Sequence, residues 1–188
     1  MLRRAFLALS ILALCAPAYA AELEIGAKAP ELKGLAGVDG KEYNLADFKD
    51  KIVVVCFTCY TCPVAIAYED RFIEFQKKYA GKGVKFVAIN ANRQTADFAV
   101  MKTKAEEKGF NFPCVYDKTG ESATAFGARV TPHIFVLDQD RKVAYVGAFD
   151  DKQTGPTKSY VNDAVDALLA GKKVEFTNSR AFGCGIQN

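Results

Sequence analysis

Two cysteines, Cys59 and Cys62, stand three positions apart in the sequence, with Pro63 directly after them. At the start of a helix, cysteines at this spacing can close a small disulfide ring with little backbone motion. The unpaired N–H groups and the positive dipole end of the helix would stabilise a thiolate there. Pro63 suits a first helical turn, where its missing N–H is no loss. The pattern predicts a redox pair that cycles between dithiol and disulfide.

The two cysteines are expected to play different parts in that cycle. An exposed thiolate attacks a substrate disulfide, and the second cysteine then resolves the mixed disulfide. Cys59 is the predicted nucleophile, because it precedes the helix and is expected to face solvent. Cys62 is the predicted resolving cysteine.

A metal site is the alternative use of the same two thiols. Zinc takes four ligands, commonly two such cysteine pairs or one pair with histidines. The sequence has no second close pair, and His133 is its only histidine. Copper(I) suits soft thiolates. The sequence therefore leaves open a copper-binding chaperone that uses Cys59 and Cys62, with Cys56 or His133 as an extra ligand. The favoured prediction is that the protein binds no metal.

The other cysteines have less distinctive surroundings. Cys56 lies in an apolar run and is predicted to be an inert buried residue. Cys114 and Cys184 could form a structural disulfide. Alternatively Cys184, flanked by Gly183 and Gly185, could reach the redox pair as a third redox thiol. The sequence leaves both alternatives open.

The N-terminus predicts export. Two arginines, an apolar run over residues 5–16 and a small-x-small ending at Ala20 form a signal-peptide pattern. The apolar run is short for a membrane span of about 20 residues. We therefore expect cleavage after Ala20, no stable membrane insertion afterwards, and a secreted or periplasmic protein, in a compartment where disulfides persist.

Residues 21–188 suit a single domain with one core. Without Arg3 and Arg4, the 25 Lys and Arg residues become 23, against 22 Asp and Glu. This near balance gives no field that would attract nucleic acid. No glycine-rich loop that would cradle a phosphate occurs, so no organic cofactor is predicted.

Strand and helix patterns alternate along the chain, which predicts an α/β protein with helices around a largely parallel sheet. The run Ile52–Phe57 is typical of a central strand buried on both faces. Its successors are a helix from Pro63 that ends before Gly81, a strand Val84–Ile89, a helix Asp97–Lys108, a short strand Phe112–Tyr116, a helix Glu121–Phe126, a hairpin of Ile134–Leu137 and Val143–Val146, and a helix Ser159–Ala170. Asp150–Lys152 is predicted to be a solvated loop, and the tail, residues 172–188, has no clear period.

Several segments together resemble one protein family over about Gly26 to Ala170. They are Gly26–Pro30, Asp39–Lys41, Leu45–Lys51, Phe126–Pro132 and Ile134–Asp138, with the cysteine pair between them. The sequence resembles the thioredoxin-like redoxins, the group of alkyl hydroperoxide reductases and thiol-specific antioxidant proteins, and above all their peroxiredoxin-like branch with a thioredoxin-type C-x-x-C. The resemblance implies a thioredoxin fold with an N-terminal extension. It also implies a thiol–disulfide oxidoreductase that acts on protein or small-molecule thiols and disulfides with an unidentified redox partner.

The resemblance also assigns a role to Thr131 and Pro132. They match the family's cis-proline loop, which lies against the active disulfide and whose backbone pairs with an extended stretch of substrate. His133 follows this loop. It is either a proton carrier at the rim of the site or a hydrogen-bonded strand histidine.

A thiol peroxidase that works through Cys62 is the remaining alternative. Peroxiredoxins carry P-x-x-x-T-x-x-C, with an arginine from a later strand. Aligning Cys62 with the peroxidatic cysteine places Cys59 at the threonine and Val55 at the proline. The later arginine falls close to Pro132, and the nearby Arg129 leaves a weak peroxidase activity open.

Overall fold

The computed structural model describes residues 21–49, 51–92, 94 and 97–187. The predicted signal peptide, residues 1–20, lies outside the described residues. Among the residues that are described, no helix is both long enough and apolar enough to cross a membrane.

A seven-stranded sheet forms the centre of the protein, in the order β2-β1-β5-β4-β3-β7-β8. Its strands are β1 Leu35–Gly37, β2 Glu42–Tyr43, β3 Ile52–Thr58, β4 Val84–Asn90, β5 Cys114–Tyr116, β7 His133–Leu137 and β8 Val143–Gly147. A second, two-stranded sheet pairs β6 Val130–Thr131 with β9 Cys184–Gly185. The helices are α1 Pro63–Ile66, α2 Glu69–Tyr79, α3 Phe98–Lys108, α4 Glu121–Phe126 and α5 Tyr160–Leu169, with a short 3-10 helix over Leu45–Phe48.

The central sheet is mixed, and only its centre is parallel as predicted. Strand β4 pairs in parallel with β3 and with β5, whereas the other four pairings are antiparallel. Helical crossovers connect β3 to β4 and β4 to β5, which parallel pairing requires. The tight turn between β7 and β8, closed by a 2.9 Å hydrogen bond from Asp138 N–H to the Lys142 carbonyl, makes that pair antiparallel.

Strand β3 is buried on both faces, as its apolar run predicts. Val54 and Cys56 point towards the cluster that includes α2 and α5, and Val55 and Phe57 point towards the cluster that includes α4. This alternation follows from the two-residue period of a strand. The end of β3 at Thr58 is thereby held between two layers of helices, and the cysteine pair follows directly.

The helix predicted from Pro63 is split into two parts. Between α1 and α2, the Tyr68 N–H donates to the Ala65 carbonyl at 3.0 Å, which is the tighter i to i−3 pattern. The hydroxyl of the buried Tyr68 side chain donates to Asp150 Oδ1 at 2.8 Å. The break therefore occurs where this tyrosine is held by a distant loop.

The tail docks on the protein although its sequence has no period. The Val146 N–H donates to the Thr177 carbonyl, and the Ser179 N–H donates to the Val146 carbonyl, both at 3.0 Å. Gly147 permits this close approach, because a Cβ there would overlap Ser179 and its φ is +139°. Beyond this point the tail continues to β9, beside β6.

Candidate active site

A tight turn after β3 positions the two cysteines of the predicted redox pair. The Cys62 N–H donates to the Cys59 carbonyl at 3.1 Å. Cys62 is the N-cap of α1, and its sulfur accepts a hydrogen bond from the Ala65 N–H at 3.5 Å. The structure contains no disulfide among the five cysteines of the described residues.

The expectation that Cys59 faces solvent is wrong. Cys59 is 2% exposed and Cys62 is 3% exposed, so exposure does not distinguish them. The reason is a covering layer, because Val64 and Cys184 pack against the small cluster that the two cysteines form with Ala65. Cys59 Sγ also lies 3.1 Å from the Thr61 hydroxyl oxygen, and either group can donate.

The loop at Thr131 and Pro132 reaches the cysteines from the other end of the sequence. The Thr131–Pro132 peptide bond is cis, as the resemblance implies. The Thr131 carbonyl oxygen lies 3.2 Å from Cys62 Sγ. The antiparallel pairing of β3 with β7 positions this loop, because it aligns Phe57 with His133.

Cys184 is the third cysteine of the site. In the β6–β9 pair it lies opposite Thr131, and its sulfur is 2.8 Å from Cys62 Sγ. Cys114 lies elsewhere, in β5 opposite Ala88, where burial and then the charge of Glu69 raise its pKa to about 12. The structure therefore contradicts a disulfide between Cys114 and Cys184, and of the two open alternatives it brings Cys184 to the redox pair.

The surroundings of Cys62 favour its thiolate. Burial by itself raises the pKa of the Cys62 thiol, but hydrogen bonds from Cys184, the Thr131 side chain and the Ala65 N–H outweigh it, so the pKa is lowered. Donation to Cys62, together with burial, raises the pKa of Cys184 to about 11. The contact between the two sulfur atoms thus lowers the pKa of Cys62 and raises the pKa of Cys184.

His133 is a buried strand histidine rather than a proton carrier. It is 2% exposed, its ring packs against Phe135 with centroids 4.8 Å apart, and its Nδ1 accepts from the Arg129 N–H at 3.3 Å. Burial, assisted by the charge of Arg129, lowers its pKa to about 4. The ring is therefore neutral at pH 7, with its Nε2 3.0 Å from the Glu22 carboxylate.

This buried ring predicts a loss of stability in mild acid. In the unfolded chain His133 binds a proton at about pH 6.5, whereas in the folded chain it does so only at about pH 4. Stability is therefore complete above pH 6.5 and lost as pH falls towards 4. Between pH 7 and 4.5 we expect the free energy of unfolding to fall by about 2–3 kcal/mol. Urea unfolding at the two pH values measures it.

His133→Asn is the matched control, because the Asn oxygen can still accept from the Arg129 N–H. With no other histidine in the sequence, this variant should show an almost flat profile between pH 7 and 4.5. An equal fall in both proteins would contradict the assignment.

A buried acidic contact was missed in the sequence. Asp150, predicted to lie in a solvated loop, is 3% exposed. It accepts from Tyr68 and forms an ion pair with Arg71. Burial and then the Asp150 contact raise the pKa of Tyr68, so this tyrosine stays protonated. The only signal in the sequence is the apolar Ala148-Phe149 directly before Asp150.

The copper site that the sequence left open would need ligands besides Cys59 and Cys62. Within the described part of the chain, no group of three or more His, Cys, Asp or Glu side chains is placed to hold an ion. Cys56, an extra ligand that the sequence offered, is fully buried inside β3. Burial raises its pKa well above the usual range, so it remains a neutral thiol.

Comparison with known proteins adds to this geometry. The Redoxin family profile matches residues 24–165. The thiol-disulfide oxidoreductase ResA of Bacillus thuringiensis subsp. konkukian is 34% identical over 65% of this chain and 68% of its own. A crystal structure of an uncharacterized conserved protein from Geobacillus kaustophilus superposes with a TM-score of 0.84 at 35% identity, covering 88% of this chain and 93% of that chain.

A third comparison concerns the architecture. A thiol:disulfide interchange protein of the thioredoxin family from Chlorobium tepidum superposes with a TM-score of 0.63 at 26% identity, over 79% of this chain and 99% of that chain. The thioredoxin fold that the resemblance implies is thereby confirmed.

Proposed function

Since this chain belongs to the Redoxin family, we propose that it exchanges thiols and disulfides through Cys59 and Cys62. The observation that carries the proposal is the placement of Cys62. Its sulfur lies 3.2 Å from the Thr131 carbonyl oxygen. Separate hydrogen bonds, from Cys184, the Thr131 side chain and the Ala65 N–H, lower its pKa, and Cys59 lies in the same tight turn. The names of the ResA relatives support the same chemistry.

The reaction moves two electrons from the cysteine pair to a substrate disulfide. The Cys62 thiolate attacks one substrate sulfur, the substrate S–S bond breaks, and the other substrate sulfur leaves as a thiolate. Cys59 then attacks the mixed disulfide at Cys62. The Cys59–Cys62 disulfide forms and the second substrate thiolate leaves. A dithiol redox partner restores the pair by the reverse exchange.

The proposal gives Cys62 the attacking role that the sequence assigned to Cys59. The earlier assignment depended on solvent exposure, and both residues are buried to the same degree. Cys62 is the one whose sulfur contacts the Thr131 carbonyl. A lowered thiol pKa increases the thiolate fraction at neutral pH, which favours Cys62 as the group that attacks.

Thr131 and Pro132 form the proposed substrate edge. In the structure, the backbone of β6 pairs with β9 along Val130 and Thr131. An extended peptide with a disulfide would bind by the same strand addition. Its sulfur would then lie at the position that Cys184 occupies.

Disulfide mapping tests the proposal. In the Cys184→Ala variant, oxidised glutathione should produce a Cys59–Cys62 disulfide, found by mass spectrometry of proteolytic peptides and opened by dithiothreitol. The physical reason is the three-residue spacing within one turn. Cys114→Ala in the same Cys184→Ala background is a matched control that should form the same disulfide, since Cys114 lies in β5. Two free, unreactive thiols after oxidation would refute the proposal.

Disulfide exchange is preferred to peroxide reduction because of the residues around Cys62. Where a peroxiredoxin has its threonine and proline, this chain has Cys59 and Val55, and Val55 is fully buried in β3. Neither side chain supplies the hydroxyl or the backbone geometry of that motif. Rapid turnover of hydrogen peroxide by the Cys59→Ser variant would instead favour the peroxidase.

Export completes the proposal. A disulfide-exchanging pair suits the secretory or periplasmic compartment that residues 1–20 predict. The chain packs against the domain within three residues of the proposed cleavage site, since the Leu23 N–H donates to the Phe126 carbonyl at 3.2 Å.

A further inference from the structure

The C-terminal segment places a thiol where the proposed substrate sulfur would bind. Cys184 is 122 residues away from Cys62 in sequence, yet the two sulfur atoms are 2.8 Å apart. A disulfide bond is about 2.05 Å long. The two atoms therefore need only a small further approach to bond.

Contacts on both sides of Cys184 hold it in place. On one side, the Phe182 ring packs edge-on against the Tyr68 ring, with centroids 6.2 Å apart. On the other side, the Ile186 N–H donates to the Arg129 carbonyl at 2.9 Å. Between them, β9 pairs with β6. The backbone on both sides of Cys184 is thus packed against the protein, and this positions the Cys184 sulfur beside Cys62.

Gly183 brings this segment unusually close to the Thr131 loop. Its φ of +150° favours glycine, and a Cβ at this position would overlap the Thr131 carbonyl oxygen. Gly185, on the other side of Cys184, has open space around an added Cβ. The close approach is therefore specific to Gly183, which directs the next residue onto Cys62.

We infer that Cys184 is a third redox-active thiol, which displaces Cys59 from its disulfide with Cys62 and forms a Cys62–Cys184 disulfide. This inference rests on the proposed function, since it starts from the Cys59–Cys62 disulfide. The Cys184 thiolate attacks Cys62 Sγ, the bond to Cys59 breaks, and Cys59 leaves as a thiolate that takes up the proton lost by Cys184. The protein as a whole is neither oxidised nor reduced.

The electrostatics of Cys184 fit this order of events. In the reduced site, the hydrogen bond to Cys62 is the main cause of its raised pKa. Once Cys62 is bonded to Cys59, its sulfur no longer forms this hydrogen bond as a thiol, so the main cause of the raised pKa of Cys184 is removed. Cys184 then ionises more readily and attacks at the moment when the disulfide is available.

The exchange has a consequence for substrates. A Cys62–Cys184 disulfide fixes β9 covalently along Thr131, the edge that an extended substrate needs. It also leaves Cys59 as a free thiol. We thus expect two disulfides. The Cys59–Cys62 disulfide leaves β9 free to separate from Thr131 and expose the substrate edge, whereas the Cys62–Cys184 disulfide keeps that edge covered.

The test is peptide mapping of the full chain after oxidation. Cys59→Ser removes the competing partner, so oxidised glutathione should convert this variant to an intramolecular Cys62–Cys184 disulfide. In that background, Gly183→Ala should lower the yield of this disulfide about tenfold or more, because the added Cβ forces β9 away. Gly185→Ala is the matched control and should keep the yield, since its Cβ meets nothing.

Three outcomes would overturn the inference. They are a lasting glutathione adduct on Cys62 with Cys184 free, a disulfide between two chains, and an unchanged yield in Gly183→Ala. If Gly183→Ala does not fold, the Cys59→Ser result alone decides. Failure of the proposed function is distinguishable, because it would appear in Cys184→Ala as an absent Cys59–Cys62 disulfide.

Discussion

Replacing Cys62 by serine is expected to lower the rate of disulfide exchange about a thousandfold or more. A serine hydroxyl does not ionise near neutral pH, so the group that attacks the substrate sulfur is lost. Cys62 is also the residue whose sulfur contacts both Thr131 and Cys184. The measurement is the reduction of glutathione disulfide with dithiothreitol as electron donor, or of insulin by turbidity.

Two further variants make this result specific. Cys114→Ala should exchange disulfides at a rate within about twofold of the unaltered protein. Cys114 lies in β5, away from the reacting atoms. Cys59→Ser should lose turnover but keep the first attack, and Cys62 is then found in a disulfide. If Cys62→Ser instead forms a rapid mixed disulfide at Cys59, the roles are the reverse, as the sequence alone suggested.

Replacing Arg71 by alanine is expected to lower the free energy of unfolding by about 2–4 kcal/mol. Its partner, the Asp150 side chain, is 4% exposed, while the Arg71 side chain is 25% exposed. The variant leaves a buried carboxylate without its cation, which costs more than the loss of a surface pair. It also removes the guanidinium that stacks over the Tyr68 ring, 4.3 Å from its centroid. Urea unfolding at pH 7 measures the change.

Lys77→Ala is the matched control for this experiment. Lys77 pairs with Glu74 at 3.8 Å on α2, and both side chains are more than two thirds exposed, so its loss should cost less than about 0.5 kcal/mol. Arg71→Lys keeps the positive charge without the planar guanidinium. Its loss of unfolding free energy should lie between those of Arg71→Ala and Lys77→Ala. Equal stability of Arg71→Ala and Lys77→Ala would show that Asp150 does not depend on this ion pair.

The Arg71 contact also bears on the site. Asp150 holds the Tyr68 hydroxyl, and the Tyr68 ring supports Phe182 in the C-terminal segment. This tyrosine lies at the break between α1 and α2, one short helix after the turn that carries the cysteines. A single buried carboxylate thus supports both the helix after the redox pair and the segment that covers it.

Local features of the chain were predictable from sequence because they depend on neighbours in the sequence. The apolar run that forms β3 has the pattern of a strand buried on both faces, and Cys59 and Cys62 follow it directly. The caps of α3 are equally local, with Asp97 at its start and Gly109 at its end. The resemblance added the Thr131–Pro132 loop, which no periodicity would have indicated.

The surroundings of the cysteines were decided by tertiary structure. Strand β9 has only two residues, too few to show an alternation, and its pairing uses backbone groups that nearly every sequence possesses. No local pattern therefore predicts that it joins β6, that it packs against the cysteine pair, or that it brings Cys184 to Cys62. The sequence by itself determined which thiols stand at the end of β3. Only the folded chain, by closing a loop of 122 residues, decided which third thiol meets them.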